Sequence, residues 1–503
     1  MTYHLPMKAV ACRMVLFLAC GVLGCMPAST FAQFRNIKVA SADEPTIVIN
    51  PNNTHHLLAG VNVAGFHYST NGGVSWKSGR LSSPFGVMGD PCVVVDTNNN
   101  YYFLHLSNPP NGTGSWIDRI VCQKLGALGG TWSSGTYMGL NGTKAQDKEW
   151  AVVDRANNRI YVTWTQFDSY GSADPAHISI IRFSASSDGG QTWSEPIRIN
   201  EVAGDCRDGS ETVEGAVPAV GPAGEIYVAW SGPAGIVFDR SLDGGQTWLE
   251  QDVRVSDQPG GWDYVIPGIQ RANGLPVTAC DVSRSAYRGN IYINWSDQPY
   301  GPGDTDIWLA RSTDRGLTWG APKRVNDDPP GRHQFFTWTT IDQSDGAIYI
   351  VFYDRRNYDD TRTDVYLATS RDGGETFVNK RISQSPFTPS ASRFFGDYCN
   401  ISAYNGVVRP IWARADGTVL STMTAIINPP PRFSEVTISN GVINLAITNL
   451  TSYLTNFVER SLDLNSPGSW TTVDTFADRE GATNWTESLG AGWNRAFYRV
   501  RIY

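Results

Sequence analysis

An eight-residue pattern, Ser-x-Asp-x-Gly-x-x-Trp, recurs along this chain and constrains its fold more than any other feature. The pattern is complete at 186–193, 241–248 and 312–319. Near copies stand at 69–76, where Asn71 replaces Asp, and at 370–377, where Phe377 replaces Trp, and a degenerate copy stands at 125–132. Three complete copies of four fixed residues are not expected by chance at average composition. The chain is therefore a repeat protein.

The spacing of the copies predicts one four-stranded antiparallel sheet per repeat. The closing aromatic positions are 76, 132, 193, 248, 319 and 377, so neighbouring copies lie 55 to 71 residues apart. That length accommodates four short strands and their loops, as in one blade of a β-propeller. Ser and Asp side chains hydrogen-bond nearby backbone groups, glycines accept positive φ, and Trp packs between blades. The pattern is thus predicted to be a structural turn rather than a catalytic motif.

The two ends of the repeat region complete each other. Short strands with a basic residue follow four of the turns, at 197–200, 253–256, 323–326 and 380–383, and a fifth at 36–39 has no blade before it. The last inner strands, at 400–403, 407–413 and 418–424, have no outer strand after them. We expect both ends to share one blade, which would leave no exposed sheet edge. The predicted architecture is all-β: a seven-bladed β-propeller over 33–427, with a six-bladed ring as the alternative.

The repeated pattern resembles the Asp-box, or BNR repeat, of the sialidase-like β-propeller superfamily, where it lies in the hairpin between the third and fourth strands of a blade. The resemblance covers 34–427 and implies an exported, glycan-active glycosidase of the exo-sialidase kind that acts on an acidic sugar. Sialidases of this family have six blades, bind the substrate carboxylate with three arginines, and use a Tyr nucleophile assisted by Glu, with Asp as acid-base. Arg356 and Arg414 are the candidates for two of these arginines and Tyr398 for the nucleophile, although no local motif fixes these roles, and Phe34-Arg35-Asn36-Ile37 lacks the Pro of the first arginine motif.

Segments of different composition flank the repeats. Lys8 and Arg13 precede an apolar run at 14–23, and small residues lead to Ala32, so 1–32 is predicted to be a signal peptide of a secreted, periplasmic or cell-surface protein. Cys25 follows a sequence that loosely resembles a lipoprotein cleavage site, and anchoring there is the less favoured alternative. A Pro-rich linker at 428–432 precedes a predicted small β-sandwich at 433–503, which resembles fibronectin-like or immunoglobulin-like accessory modules. No other segment is long and apolar enough to span a membrane.

Composition and charge limit the classes of molecule that this chain is expected to bind. The formal charge of −8 and the sequence pI near 5.4 argue against nucleic acid. Five cysteines follow residue 32, of which Cys92 and Cys122 fall in one blade and could pair. No metal-ligand pattern of Cys and His is present, and the acidic loops at 304–306 and 354–360 are interpreted as solvated charge rather than calcium sites. The chain is predicted to be monomeric, to bind a glycan or polysaccharide, and to use no cofactor.

Propeller geometry predicts the position of a site, because the loops that enter the innermost strands gather at one mouth of the central channel. These entrances are acidic in nearly every blade, and the ends of the second strands carry aromatic residues and arginines. Rings stack on the apolar faces of sugars, and arginines bind carboxylates bidentately. The candidate catalytic residues are Asp147, Glu149, Asp354, Asp397 and Tyr398. The candidate substrate-binding residues are Arg355, Arg356, Arg393, Arg414, Trp164, Trp295 and His333.

Three functions stay open at this point. The first is the glycosidase, and the second is a uronate polysaccharide lyase in which an arginine neutralises the carboxylate while His333 or Tyr398 removes the adjacent proton. The third is a non-catalytic propeller that binds carbohydrate or protein. A binding scaffold would leave the acidic groups scattered, whereas an enzyme needs two or three of the following in one pocket beside an arginine: Asp147, Glu149, Glu214, Asp354, Asp397 and Tyr398.

Overall fold

The computed structural model describes residues 34–109, 116–450, 455–463, 469–477, 479, 481–488 and 496–502. The predicted signal peptide, with Cys25, lies outside these residues. The described chain is all-β and divides into two compact units, Phe34–Ile427 and a second unit that contains Asn428–Tyr503. It includes no helix with the length and hydrophobicity needed to span a membrane.

Four-stranded antiparallel sheets, seven among the described residues, build the unit Phe34–Ile427, as in a β-propeller. β1 (Arg35–Ala40) comes first, and each of the next six sheets uses four strands in chain order. Sheet 1 is β2 (Thr46–Ile49), β3 (Leu57–Val61), β4 (Gly65–Ser69) and β5 (Lys77–Arg80). Sheet 2 is β6 (Cys92–Val95), β7 (Tyr101–Leu106), β8 (Ile120–Leu125) and β9 (Thr136–Met138). Sheet 3 is β10 (Ala145–Asp154), β11 (Arg159–Phe167), β12 (Ser179–Ser186) and β13 (Ile197–Arg198).

The following sheets repeat this order, with one short insertion. Sheet 4 is β14 (Glu214–Val220), β15 (Ile226–Gly232), β16 (Gly235–Ser241) and β17 (Val253–Ser256). A two-stranded pair, β18 (Asp263–Tyr264) and β19 (Ala272–Asn273), is inserted next. Sheet 5 is β20 (Val277–Cys280), β21 (Ile291–Asp297), β22 (Asp306–Ser312) and β23 (Lys323–Arg324). Sheet 6 is β24 (Gln334–Ile341), β25 (Ile348–Asp354), β26 (Asp364–Ser370) and β27 (Val378–Arg381).

Sheet 7 joins the two ends of the unit, as the sequence predicts. Its strands are β28 (Asn400–Tyr404), β29 (Val407–Asp416), β30 (Val419–Ile426) and, as the outer strand, β1. β1 pairs antiparallel with β30, with Ile37 opposite Thr424. The first strand of each sheet contacts the first strand of the next, and β28 contacts β2 of sheet 1. The first strands therefore surround a common centre.

The repeated pattern forms the turn between the third and fourth strands, as predicted. In sheet 4, Ser241 Oγ donates to Asp243 Oδ1 at 2.7 Å and accepts from Gly245 N at 2.8 Å. Thr247 Oγ1 donates to Asp243 Oδ2 at 2.6 Å. Gly245 has a φ of 92° and is the position where the turn requires the left-handed region. The closing Trp248 packs edge-on against Phe183 of sheet 3, with ring centroids 5.0 Å apart, so the turn also joins neighbouring sheets.

The unit after the linker contains two three-stranded antiparallel sheets. One is β31 (Arg432–Ser439), β32 (Val442–Leu450) and β35 (Gly481–Ser488), and the other is β33 (Asn456–Ser461), β34 (Thr471–Phe476) and β36 (Phe497–Ile502). Ile443, Leu445 and Trp485 belong to its buried core. Five of these strands coincide with segments whose sequence predicts strands, at 435–438, 442–447, 456–460, 470–475 and 497–503, whereas no strand is predicted at β35.

The five cysteines of the described chain are buried free thiols: Cys92, Cys122, Cys206, Cys280 and Cys399. The pairing of Cys92 with Cys122 that their spacing allowed is therefore not made in this structure.

Candidate functional site

The entrances to the first strands converge on one cavity of about 60 Å³. Sheets 3, 4, 5 and 6 contribute to its wall, together with residues just before sheets 2, 5 and 7. Around it lies a group of ionisable residues that we call the central cluster: Glu44, Asp90, Asp147, Lys148, Glu149, Asp208, Glu214, Arg271, Asp397 and Tyr398.

Irregular backbone turns several of these side chains towards the centre. β10 has a register shift between Asp147 and Trp150, and Lys148 within it has a φ of 52°. Glu44 and Asp90, at the entrances of sheets 1 and 2, have φ values of 47° and 48°. Non-glycine residues rarely occupy this left-handed region, and such strain concentrates at functional sites. The same register shift recurs in β14 and β24, so the bulge is a feature of the fold. The residue type at each bulge determines which chemical group lies there.

Asp397 is the best-paired carboxylate of the central cluster. Lys148 Nζ lies 3.1 Å from its Oδ1, and Arg271 Nε lies 3.1 Å from its Oδ2. Asp397 is fully buried, and burial alone would raise its pKa, but Lys148 and Arg271 outweigh that effect and hold the pKa below its usual range. Arg271 also binds Asp208 at 3.2 Å, whose other oxygen accepts from Tyr170 at 2.7 Å. Asp397 is therefore a buried, ionised group.

Glu149 and Glu214 have the opposite environment. Both are at most 1% exposed, and neither oxygen of either carboxyl has a hydrogen-bond partner in the described chain. Burial raises the pKa of both groups well above the usual range, and the charges of Asp90 on Glu149 and of Asp208 on Glu214 raise them further. Asp147 is intermediate, because burial and then Asp90 raise its pKa to about 7. The surroundings of Glu149 and Glu214 therefore favour the protonated form, while those of Asp397 favour the ionised form.

Aromatic rings form one wall of the cavity. Trp150 and Trp338 lie with ring centroids 4.3 Å apart, and the ring of Tyr398 lies 6.1 Å from Trp150. Lys148 Nζ stands 5.4 Å from the Tyr398 ring centroid. The Tyr398 hydroxyl is buried without a hydrogen-bond partner, and burial followed by the charge of Glu44 raises its pKa well above the usual range. Apolar ring faces beside carboxyl groups form a surface suited to a sugar ring.

The central cluster is strongly acidic. It contains seven carboxyl groups and only two cations, Lys148 and Arg271, both of which are bound to acidic partners. No three of its carboxylate oxygens come within 4.8 Å of one another among the described residues, so it lacks the close ligand set of a metal site. The chemistry available here is proton transfer and electrostatic stabilisation by carboxyl groups.

Four of the five candidate catalytic residues come together in this cluster. Glu149, Asp397 and Tyr398 line the cavity, and Asp147 lies beside them. Asp354 lies at the end of β25 instead, where Arg356 Nε donates to its Oδ2 at 2.8 Å. Glu149, Asp397 and Tyr398 therefore share one cavity, and Arg271 contacts Asp397.

The candidate substrate-binding residues lie away from the cavity lining. Arg355 donates to Pro267 O at 2.7 Å, Arg356 is paired with Asp354, and Arg414 donates to Ser385 O at 2.9 Å. Arg393 is exposed and also outside the lining.

The other three predicted substrate-binding residues are held by contacts within the structure: Trp164, Trp295 and His333. Trp164 and Trp295 are at most 1% exposed and belong to the apolar cores, and Trp164 Nε1 donates to Gln146 at 2.7 Å. His333 Nδ1 lies 2.8 Å from Thr305 Oγ1, and burial followed by Arg355 lowers its pKa to about 4. These side chains stabilise the sheets where they stand.

Arg271, Asp208 and the Trp150–Trp338 pair had no sequence signal that assigned them to the site. Arg271 comes from the β18–β19 insertion, which lengthens the interval between two repeats to its maximum, from 248 to 319. An unusually long interval marks an insertion, but only the structure shows that this one reaches the central cluster.

No model of a known protein family matches the sequence, and no curated protein matches it. The fold is similar to a polysaccharide lyase of family PL25, an ulvan lyase bound to -[GlcA(1-4)Rha3S]-, at 13% identity and a TM-score of 0.49, over 77% of this chain and 95% of the lyase. It is also similar to the NanB sialidase of Streptococcus pneumoniae, at 9% identity and a TM-score of 0.43, over 74% of this chain and 83% of the sialidase. A Trypanosoma rangeli sialidase matches at 10% identity and a TM-score of 0.41, over 93% and 88% of the two chains. These relatives are sialidases and a polysaccharide lyase with propeller folds.

Proposed function

We propose that this chain is a glycan-active enzyme, a glycoside hydrolase whose active site is the central cluster. The observation that carries the proposal is the contrast between two buried carboxyl groups of one site. Neither oxygen of Glu149 has a hydrogen-bond partner among the described residues and burial raises its pKa, whereas Lys148 and Arg271 pair with Asp397 and lower its pKa. Two carboxyl groups whose environments drive their pKa values apart are the acid and base pair that glycoside cleavage requires.

Each residue then has a defined role. Glu149 is the general acid that protonates the leaving oxygen, because it lines the cavity and carries a proton without a competing partner. Asp397 is the ionised carboxylate that faces the positive charge developing on the sugar. Lys148 and Arg271 keep Asp397 ionised and fixed, and Trp150, Trp338 and Tyr398 form the surface on which the sugar ring stacks.

The charge of the site favours a neutral sugar over the acidic sugar that the family resemblance implies. An anionic sugar would approach seven carboxyl groups, and both cations of the cluster already bind carboxylates. Arg356 and Arg414, the candidate carboxylate-binding arginines, are paired with Asp354 and Asp416. Among the described residues, the Tyr398 hydroxyl has no hydrogen bond to the Glu partner that a sialidase nucleophile uses. Hydroxyl groups of a neutral sugar, by contrast, both donate to carboxylates and accept from protonated carboxyls.

The architecture completes the proposal. The seven sheets are the blades of one seven-bladed propeller, since their first strands form a closed series of contacts. The two three-stranded sheets after the linker form a β-sandwich accessory module, and the chain is exported through its N-terminal segment, which lies outside the described residues. The repeated turns are the Asp-boxes of the sialidase-like superfamily.

The test is hydrolysis of a panel of neutral aryl glycosides, a fluorogenic sialoside and uronic-acid polysaccharides by the purified protein. We expect release from a neutral glycoside, and a 10²- to 10⁴-fold lower kcat/KM for Glu149→Gln on substrates with a poor leaving group. The loss should be much smaller with a dinitrophenyl leaving group, which needs no proton. Asp397→Asn should lose activity on both substrate types.

Asp354→Asn is the matched control, because Asp354 is also a buried carboxyl, with a pKa raised to about 6 by burial, but lies outside the central cluster. Asp354→Asn should retain nearly full kcat/KM and should have the same melting temperature as the Glu149 and Asp397 variants. Cleavage of the sialoside alone would contradict the neutral-sugar assignment. Unsaturated products from the uronic-acid polysaccharides would show that the enzyme is a lyase and not a hydrolase. Failure to cleave any member of the panel would favour a binding propeller.

A further inference from the structure

Three carboxylates far from the central cluster meet where sheets 3 and 4 adjoin at their outer strands. Glu201 follows β13 of sheet 3, Asp239 lies within β16, and Asp252 immediately precedes β17 of sheet 4. Each offers one carboxylate oxygen, and these three oxygens all lie within 4.8 Å of one another. Among the described residues no other group of His, Cys, Asp and Glu reaches this spacing.

Two of the three residues have a buried oxygen that nothing in the described chain satisfies. Asp239 is fully buried; its Oδ1 accepts from the backbone N–H groups of Arg240 and Leu249, at 2.6 and 3.0 Å, but its Oδ2 has no partner. Asp252 Oδ2 accepts from Glu201 N at 3.2 Å, and its Oδ1 is buried without a partner. A buried carboxylate oxygen without a donor is costly, so a native structure normally supplies a partner.

The surrounding charges do not supply that partner. None of the three carboxylates forms an ion pair with Lys or Arg within the described part of the chain. Arg240 follows Asp239, but its guanidinium donates to Arg315 O at 2.6 Å. Three carboxylates this close together repel one another unless a cation lies between them.

We propose that Glu201, Asp239 and Asp252 bind a Ca²⁺ ion that joins sheet 3 to sheet 4. The three oxygens left over by the hydrogen bonds are Glu201 Oε1, Asp239 Oδ2 and Asp252 Oδ1, one from each residue. A purely oxygen ligand set of carboxylates suits Ca²⁺ rather than a transition metal, and water completes the six to eight ligands. Glu201 is exposed and gives the ion access from solvent, while Asp252 N donates to Glu201 Oε2 at 2.7 Å and fixes the pair.

Calcium binding is measured on the full protein after treatment with EDTA and exchange into metal-free buffer. Isothermal titration with CaCl₂ should show about one ion per chain, and saturating Ca²⁺ should raise the melting temperature by about 2 °C or more. Asp239→Asn and Glu201→Gln should each weaken binding about 10-fold or more and lose most of the rise. MgCl₂ at equal concentration should produce a smaller rise, because Mg²⁺ demands stricter geometry and gives up its water reluctantly.

Asp257→Asn is the matched control, since Asp257 is an acidic residue of the same sheet whose side chain is 70% exposed and which lies outside the group. It should bind Ca²⁺ as the wild type does. In EDTA, Asp239→Asn should be at least as stable as the wild type, because the substitution removes a buried charge but keeps an acceptor for Arg240 and Leu249. The proposal fails if Ca²⁺ gives neither heat nor a thermal shift, if either variant retains the wild-type response, if Mg²⁺ acts equally, or if Asp239→Asn is destabilised in EDTA.

Discussion

Replacing Lys148 with Met tests how strongly the central cluster depends on its buried cation. Lys148 Nζ lies 3.1 and 3.3 Å from the two oxygens of Asp397, whose side chain is fully buried. Removing one partner of a buried pair costs about 3–5 kcal/mol, because the remaining charge is left uncompensated. Arg271 stays in contact with Asp397, so we expect the lower limit, about 3 kcal/mol at neutral pH. Met is unbranched like Lys, so the substitution adds little backbone strain at a φ of 52°.

The cost should depend on pH in a defined direction. Lys148 and Arg271 hold the folded-state pKa of Asp397 below its unfolded value, against the effect of burial. This pairing therefore stabilises the fold above the unfolded pKa, near 3.9, and the contribution is lost as the pH falls through the folded pKa. Lys148→Met raises the folded pKa of Asp397. The difference in unfolding free energy between wild type and variant should thus be full at neutral pH and shrink as the pH falls and Asp397 takes up a proton.

Urea unfolding followed by tryptophan fluorescence, at about pH 7 and at about pH 3.5, below the unfolded pKa, measures both effects. The double variant Lys148→Met, Asp397→Asn should recover most of the lost stability, because the uncompensated charge is removed. Lys144→Met is the matched control: Lys144 pairs with Asp168 at 2.6 Å but is 37% exposed, so its loss should cost less than about 1 kcal/mol. A Lys148→Met cost no larger than that of Lys144→Met, or strict additivity with Asp397→Asn, would refute the reasoning.

Two further predictions concern the repeated turn. Asp243→Ala should lower the unfolding free energy by about 1 kcal/mol at neutral pH. Hydrogen bonds from the side chain and backbone of Thr247 lower the Asp243 pKa to about 2. The stabilisation is therefore present above the unfolded pKa and is lost as the pH falls towards 2. A cost of Asp243→Ala that does not change with pH would contradict this explanation. Trp248→Ala should lower the unfolding free energy, measured by thermal or urea unfolding, by about 3 kcal/mol, because it removes the ring packed against Phe183. Tyr300→Ala, at a side chain 71% exposed, should cost little. Equal effects of the two substitutions would contradict packing between sheets as the role of Trp248.

Much of the sheet architecture follows from local patterns. The Ser-Asp turn needs only hydrogen bonds among residues a few positions apart, so each copy located one hairpin between a third and a fourth strand. The strand at 36–39 had no sheet before it and the inner strands from 400 to 424 had no outer strand after them, so the sequence predicted that they pair. In the structure, β1 pairs with β30. The entrances to the first strands could also be located, because they stand at a fixed place relative to each turn. β35 was missed, since its eight residues lack the alternation of a half-buried strand.

The candidate site was predicted as a set of entrance residues rather than as a set of contacts. Asp147, Glu149, Asp397 and Tyr398 came from that rule, and they do lie together. Asp354 and the arginines were chosen because carboxylates and guanidinium groups are useful in an active site, but each such group also finds a structural partner when one is near. Arg356 beside Asp354 is such a case. A single sequence contains no measure of which charges pair with each other.

The amino-acid sequence by itself determined the repeat, the strand order within each sheet, and the acidic residues at the entrances, because these depend on local hydrogen bonds and on chain spacing. Only the tertiary structure decided which carboxyl groups are paired with a cation. Asp397 meets Lys148 across 249 positions of sequence, while the carboxyl group of Glu149, next to Lys148, has no hydrogen-bond partner in the described part of the chain. The meeting of Glu201, Asp239 and Asp252 was decided in the same way, by two neighbouring sheets. The physical reason is that the charge state of a buried group depends on its distance to other charges, and those distances exist only once all the sheets are in place.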